Sequence, residues 1–191
     1  MEKAYNMDRD IAKVLLSEQK IARIIARLGK EISRDYKDKN LMLVSVLKGS
    51  VVTMADIMRA ITVPCSIDFM VVSSYSGTHT TGAVKIIKDL DISIEDYDLL
   101  IVEDILDSGF TLSYLREMLQ QRNPRSIKIC TFLDKPDRRK PGITIKPDYV
   151  GAVVPDEFVV GYGLDYNEKY RNLPYVGILK PSVYESSEES E

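Results

Sequence analysis

Residues 98–112 read Asp-Leu-Leu-Ile-Val-Glu-Asp-Ile-Leu-Asp-Ser-Gly-Phe-Thr-Leu. Leu99 to Val102 is an apolar run with the length and composition of a buried strand. It ends abruptly in Glu103 and Asp104, and a third acid, Asp107, follows. Ser108-Gly109-Phe110-Thr111 then leads into Leu112, Leu115, Met118 and Leu119, which keep helical spacing. In an open α/β sheet, ligands bind outside the carboxyl ends of such strands. Ser108, Gly109 and Thr111 bring small donors and free backbone N–H groups to a helix N-terminus, which suits a phosphate. Carboxylates beside a phosphate cradle repel their ligand unless something stands between them. A divalent cation or sugar hydroxyls would do this, because Mg²⁺ takes oxygen ligands and carboxylates accept hydrogen bonds from a diol. The inferred ligand is a sugar phosphate with Mg²⁺. For any single acid, a solvated strand end beside a helix cap is the plainer reading. There is no Gly-x-x-x-x-Gly-Lys-Ser/Thr segment to hold a triphosphate, so a P-loop ATPase is not expected.

Outward from this segment, strands and helices alternate. Ile21, Ile24, Ile25, Leu28 and Ile32 predict a helix capped by Ser17 and ending near Tyr36. Leu41–Leu47 is a buried-strand candidate, and Lys48-Gly49-Ser50 turns into a helix carrying Val51, Met54, Ala55 and Met58. A Lys beside Gly at a strand-to-helix turn suits an anion. Pro64 to Val72 reads as a strand, Ser73 to Gly82 as a mobile polar loop, and Val84–Ile87 as a short returning strand. Ile127–Leu133 is another strand, followed by a charged connection from Asp134 to Lys146. Short apolar runs cover Tyr149–Val154, Val159–Leu164 and Tyr175–Leu179. The alternation predicts an α/β fold with a mainly parallel sheet flanked by helices.

The 191 residues are read as one domain, 1–184, with a disordered acidic tail of Ser and Glu over 185–191. The net charge of −3 gives no reason to expect nucleic acid or membrane as a partner. With no signal-type or membrane-spanning apolar stretch, the expected location is cytoplasmic. Cys65 and Cys130 are isolated among apolar residues and are expected as buried free thiols. One His and two scattered Cys make a zinc site unexpected.

Val102 to Leu112 resembles the phosphoribosyl-pyrophosphate signature of the type I phosphoribosyltransferases. From about Leu41 to Leu179 the chain is similar to the hypoxanthine-guanine branch of that family. Besides the signature, three motifs carry the likeness: Leu47-Lys48-Gly49-Ser50, Asp134-Lys135-Pro136-Asp137-Arg138-Arg139, and Val154 through Glu168. The resemblance implies a small hood over the active site. It also implies an Mg²⁺-dependent purine-salvage glycosyltransferase that moves 5-phosphoribosyl from phosphoribosyl pyrophosphate to N9 of hypoxanthine or guanine. IMP or GMP and pyrophosphate are the implied products.

The same resemblance assigns residues. Glu103 and Asp104 hold the ribose hydroxyls, directly or through Mg²⁺, and Asp107 exchanges a proton with purine N7. Asp107, Ser108, Gly109, Phe110 and Thr111 hold the 5′-phosphate. Lys48, Gly49 and Arg171 bind pyrophosphate, with a cis peptide at Leu47–Lys48. Ser74 and Tyr75 contact pyrophosphate from a loop that closes over the site. His79 in that loop has no expected role. Lys135 donates to O6 of a 6-oxopurine, Phe158 stacks on the ring, and backbone groups of Val159 read the ring edge. Asp165 lies near the exocyclic position and helps hold a second Mg²⁺, so the implied metal set is Glu103, Asp104 and Asp165. Arg139 supports the region structurally. Ser108 replaces the usual Thr and Ser50 a frequent Gly; both keep the needed chemistry. A homodimer or homotetramer is implied. Two alternatives stay open: a xanthine-preferring transferase, and a regulator that senses phosphoribosyl pyrophosphate. The second lacks an evident nucleic-acid surface.

Overall fold

A computed structural model describes residues 6–74 and 84–185. After a 3-10 turn over Met7–Asp10 come strand β1 (Ile11–Leu16), α1 (Glu18–Asp35), β2 (Leu41–Leu47), α2 (Val51–Ala60), β3 (Cys65–Ser74) and β4 (Val84–Lys88). There follow β5 (Asp98–Leu106), α3 (Phe110–Gln120), β6 (Ser126–Asp134), β7 (Tyr149–Val153), β8 (Val159–Val160), β9 (Val176–Leu179) and a single turn, α4 (Pro181–Tyr184). Six strands form one sheet in the order β4-β3-β2-β5-β6-β7, parallel except for β4. β1, β9 and β8 form a separate antiparallel sheet, the hood.

Helix α1 starts where Ser17 Oγ accepts from the Lys20 N–H at 3.4 Å, and it buries Ile21, Ile25, Leu28 and Ile32. That spacing lays one apolar stripe against the sheet. The central strands β2 and β5 are apolar on both faces because both are covered. Leu41, Leu43, Leu100 and Val102 join the core under α1 and α2, while Met42, Val44, Leu99 and Ile101 join the core under α3. The hood shares the first of these cores through Leu16, Val159 and Val176.

The structure adds two features the sequence reading did not give and alters two that it did. Strand β1 has no counterpart in the sequence pattern; its middle residues, Ala12 to Val14, are exposed and it pairs only with the distant β9. Strand β5 does not stop at Val102 but continues through both acids to Leu106, because β6 offers ladder partners as far as Asp134. Helix α2 buries Thr53, Met54 and Ile57, so Val51 and Ala55 face outward. The Val159–Leu164 run is a strand only over Val159–Val160; it then turns through left-handed Gly161, Tyr162 and Gly163. Cys65 and Cys130 are free, Cys130 buried and Cys65 only partly so. The loop from Tyr75, with His79, and the tail beyond Glu185 lie outside the described residues.

Candidate active site

The phosphate cradle forms where β5 gives way to α3. Gly109 is the helix N-cap, with φ of 78°. A Cβ there would stand 2.7 Å from Ile143 and 3.0 Å from Ile145, so both backbone angle and packing require glycine. The first turn of α3 carries no acid, which leaves its N–H groups available to an anion. Ser108 Oγ accepts from the Phe110 N–H at 3.4 Å. Glu103, Asp107, Ser108, Gly109 and Thr111 line a cavity of 150 Å³, with Val46 closing its side. Arg139 fastens this turn from outside: Nη1 donates to the carbonyls of Leu106, Asp107 and Lys135, and Nη2 pairs with Asp134.

Strand alternation separates the paired acids. Glu103 follows Leu99 and Ile101 onto the α3 face, beside Leu112 and Leu115 in the phosphate cavity. Asp104 follows Leu100 and Val102 onto the α1–α2 face, where it abuts Gly49. Burial pushes the Glu103 carboxyl well above its ordinary pKa; the neighbouring Asp104 adds to this and the Val46 N–H opposes it. Burial likewise raises Asp104 to about 6, against the hydrogen bond it accepts from Ile105 N–H at 2.7 Å and the attraction of Arg171. Two buried carboxyls held away from easy ionisation fit a divalent cation, whose charge would restore the ionised form. Among the described residues no three acidic, His or Cys side chains converge into a ready cluster, so Glu103, Asp104 and Asp165 are not gathered at one point. Mg²⁺ commonly takes one or two carboxylates and completes its shell with water and substrate oxygens, which this arrangement permits.

On the Asp104 side lies the second anion turn. The Leu47–Lys48 peptide is cis. Ser50 Oγ takes the Ser45 hydroxyl at 2.6 Å, and both side chains are buried, which fixes the turn from beneath. Lys48 Nζ lies 3.1 Å from Glu168 Oε1. Arg171 Nη1 lies 2.9 Å from Asp165 Oδ1 and donates to the Gly163 carbonyl at 2.9 Å. Ser74 ends β3; Tyr75 lies outside the described residues.

On the Asp107 side lies a mixed apolar and polar wall. Lys135 is 6% exposed, and its Nζ donates to the Glu157 carbonyl at 2.6 Å. Burial lowers its pKa. Phe158 remains 38% exposed; its ring meets Tyr166 edge-on at 5.5 Å and stacks on Tyr184 at 5.2 Å. Val159 pairs with Ile178, so the hood carries the Phe158 segment. Arg138 Nε bridges Asp107 Oδ1 at 3.4 Å and Asp156 Oδ1 at 3.5 Å. That link joins the phosphate cradle to the Phe158 segment. Neither Arg138 nor Glu168 drew a role from the sequence. Asp107 and Asp156, the partners of Arg138, and Lys48, one partner of Glu168, lie far along the chain.

Residues 12–167 match the phosphoribosyl transferase domain. The chain is 55% identical over 181 residues to the hypoxanthine-guanine phosphoribosyltransferase of Bacillus subtilis (strain 168), covering 94% of this chain and 99% of that one. It is similar to a crystal structure of a hypoxanthine phosphoribosyltransferase from Staphylococcus aureus, with a TM-score of 0.90 at 53% identity over 96% of this chain and 99% of that chain. It is also similar to a ternary substrates complex of the hypoxanthine phosphoribosyltransferase from Trypanosoma cruzi, with a TM-score of 0.87 at 40% identity, covering 92% and 99% of the two chains.

Proposed function

We infer the reaction from one premise: the chain belongs to the phosphoribosyl transferase family. It transfers 5-phosphoribosyl from phosphoribosyl pyrophosphate to N9 of hypoxanthine or guanine, giving IMP or GMP and pyrophosphate in purine salvage. One observation carries the reading to this molecule. Asp104 abuts the Lys48-Gly49 turn, while Asp107 is tied through Arg138 to the Phe158 segment. The cradle thus lies between a cationic turn and an aromatic wall, the order that a phosphate-bearing sugar needs between pyrophosphate and purine.

The roles follow from that order. Positive charge builds on the ribose as pyrophosphate departs. Lys48, Gly49 and Arg171 offset the charge on the leaving group. Glu103, from the phosphate cavity, and Asp104, from beside the Gly49 turn, would reach the ribose hydroxyls from opposite faces of β5, directly or through Mg²⁺, and Asp107 exchanges a proton with purine N7. Asp107, Ser108, Gly109, Phe110 and Thr111 hold the 5′-phosphate. Lys135 donates to O6, which disfavours adenine because its 6-amino group donates as well. Phe158 stacks on the purine, worth about 1–3 kcal/mol, and Val159 presents backbone groups to its edge. Glu103, Asp104 and Asp165, which are not gathered at one point, would hold Mg²⁺ one or two carboxylates at a time with water and substrate oxygens completing its shell, and the ion when bound supplies charge neutralisation for the departing pyrophosphate. Exposed Ile67 and Ile87 on β3 and β4, with Val51 on α2, support a subunit contact in a homodimer or homotetramer. No helix among the described residues is long and apolar enough to cross a membrane. A cytoplasmic location accords with phosphorylated substrates that do not diffuse through lipid.

The test is nucleotide formation from phosphoribosyl pyrophosphate with hypoxanthine, guanine, xanthine and adenine, with and without chelator. Rapid formation of IMP and GMP, lost on chelation and restored by Mg²⁺, is expected. No product from either 6-oxopurine overturns the reaction, and full activity in excess chelator overturns the metal.

A further inference from the structure

Glu168 has no part in the reaction described so far, yet it touches both cations assigned to pyrophosphate. Its Oε1 lies 3.1 Å from Lys48 Nζ and 3.4 Å from Arg171 Nη2. A single anionic oxygen between an ammonium and a guanidinium is the position a phosphate oxygen would take.

The contact is not a structural pin. The Lys48 and Glu168 side chains are 69% and 64% exposed. Exposed ion pairs add little to stability. Arg171 does not depend on Glu168 for its position, since Asp165 and the Gly163 carbonyl already hold Nη1.

The backbone gives a second, independent reason. Tyr166 and Lys169 exchange hydrogen bonds of 3.2 and 3.0 Å around a two-residue turn. Its central residues, Asn167 and Glu168, have φ of 50° and 60°, the signature of a type I′ turn. Asn suits the first of these positions and Gly the second. A long side chain at the second is disfavoured by the left-handed backbone. A glutamate where glycine would fit better points to work done by its side chain.

We propose that Glu168 is a resident counter-anion of the pyrophosphate subsite, holding Lys48 beside Arg171 in the substrate-free protein and giving way when donor or product pyrophosphate binds. The proposal rests on the assignment of Lys48 and Arg171 to pyrophosphate. Glu168 thereby weakens the hold on the leaving group, because the incoming anion must break two existing ion pairs. Pyrophosphate then leaves the site more readily after transfer. Glu168 acts through the two cations and is a positioning residue.

The experiment compares Glu168→Gln, Glu168→Gly and Lys48→Met with the parent protein. It measures pyrophosphate affinity by calorimetry with Mg²⁺ present, KM for each substrate, and Tm. Both Glu168 variants are expected to bind pyrophosphate about three- to tenfold tighter. KM for phosphoribosyl pyrophosphate falls with it, and KM for hypoxanthine stays unchanged. Glu168→Gly keeps or raises Tm, because glycine suits the turn. Weaker or unchanged pyrophosphate binding in both variants overturns the proposal, as does a lowered Tm with a parallel loss for both substrates. Lys48→Met separates the two levels. If it leaves pyrophosphate affinity unchanged, the subsite assignment itself fails. If it weakens binding while the Glu168 variants do not tighten it, only the counter-anion role fails.

Discussion

Gly49 and Asp104 are in direct contact: a Cβ at Gly49 would stand 2.0 Å from Asp104 Oδ2 and 3.1 Å from its Cγ. The anion turn after β2 and the acid near the end of β5 are thus fitted to each other, and neither can shift alone. Gly49→Ala should displace the Asp104 carboxyl or lift the turn. A misplacement of this size costs on the order of 10²-fold in rate. The expected result is a loss of that order in kcat/KM for phosphoribosyl pyrophosphate, with secondary structure retained by circular dichroism. Parent-like kinetics would show that the contact does not constrain the site.

Asp104 also links the site to stability. Burial raises its pKa from 3.8 to about 6. The folded protein therefore binds this proton more tightly than the unfolded chain does. The contribution favours folding below the unfolded pKa and is lost as pH rises through about 6. Above that, ionised Asp104 costs the metal-free protein about 1–3 kcal/mol. In chelator, Asp104→Asn should resist urea better than the parent by about that amount near pH 8, with the gap closing near pH 4. Turnover should be largely lost. Equal stability near pH 8 would refute the electrostatic cost.

Asp107 has a buried Oδ1 without a hydrogen bond among the described residues, 3.4 Å from Arg138 Nε. Asp107→Asn preserves shape and removes the base. It should lower kcat by about 10²–10⁴-fold while changing KM for phosphoribosyl pyrophosphate less. An unchanged kcat, with chemistry shown to be rate-limiting, removes Asp107 from proton transfer.

Lys135 uses one donor on the Glu157 carbonyl and has others for a purine O6. A hydrogen bond to a charged group is worth about 1.5–3 kcal/mol. Lys135→Ala should therefore reduce kcat/KM for hypoxanthine and guanine together by about ten- to a hundredfold. Affinity for phosphoribosyl pyrophosphate should hold. Equal damage to the sugar donor would place Lys135 on the wrong substrate.

Arg139 is 16% exposed and satisfies three carbonyls and the Asp134 carboxylate. Removing one partner of such a pair leaves the other charge buried, at about 3–5 kcal/mol. Arg139→Ala should lower the urea midpoint accordingly and raise KM for phosphoribosyl pyrophosphate. Arg139→Lys keeps the charge without the planar fork and should not restore either property. Full recovery by lysine would reduce the residue to a simple counter-charge.

Local chemistry explains which parts were legible. Ser17 and the isoleucine spacing mark α1 because cap and stripe lie within one helix. The Asp107–Thr111 turn is legible because a phosphate cradle is built from consecutive residues. The hood is legible only in part: the resemblance implies it and β8 and β9 fall in apolar runs, but β1 has no alternation to betray it and owes its existence to β9 at the other end of the chain. Helix α2 is legible as a helix, but which face it buries is not, because Val51 and Ala55 are apolar yet lie on its outer face.

Periodicity, capping and strand-end motifs act over a few residues, so the parallel core and the phosphate turn could be read from short stretches of chain. Packing between distant segments is needed for Glu103 and Asp104 to part to opposite faces of a continuing strand, for Asp104 to lodge against Gly49, and for Glu168 to sit between Lys48 and Arg171. The first depends on β6 carrying β5 on through both acids, the second on where β5 sits beside β2, and the third on where the 165–171 turn meets the Lys48 turn. Burial, and the raised carboxyl pKa values that come with it, belong to the packed whole and not to any short stretch of chain.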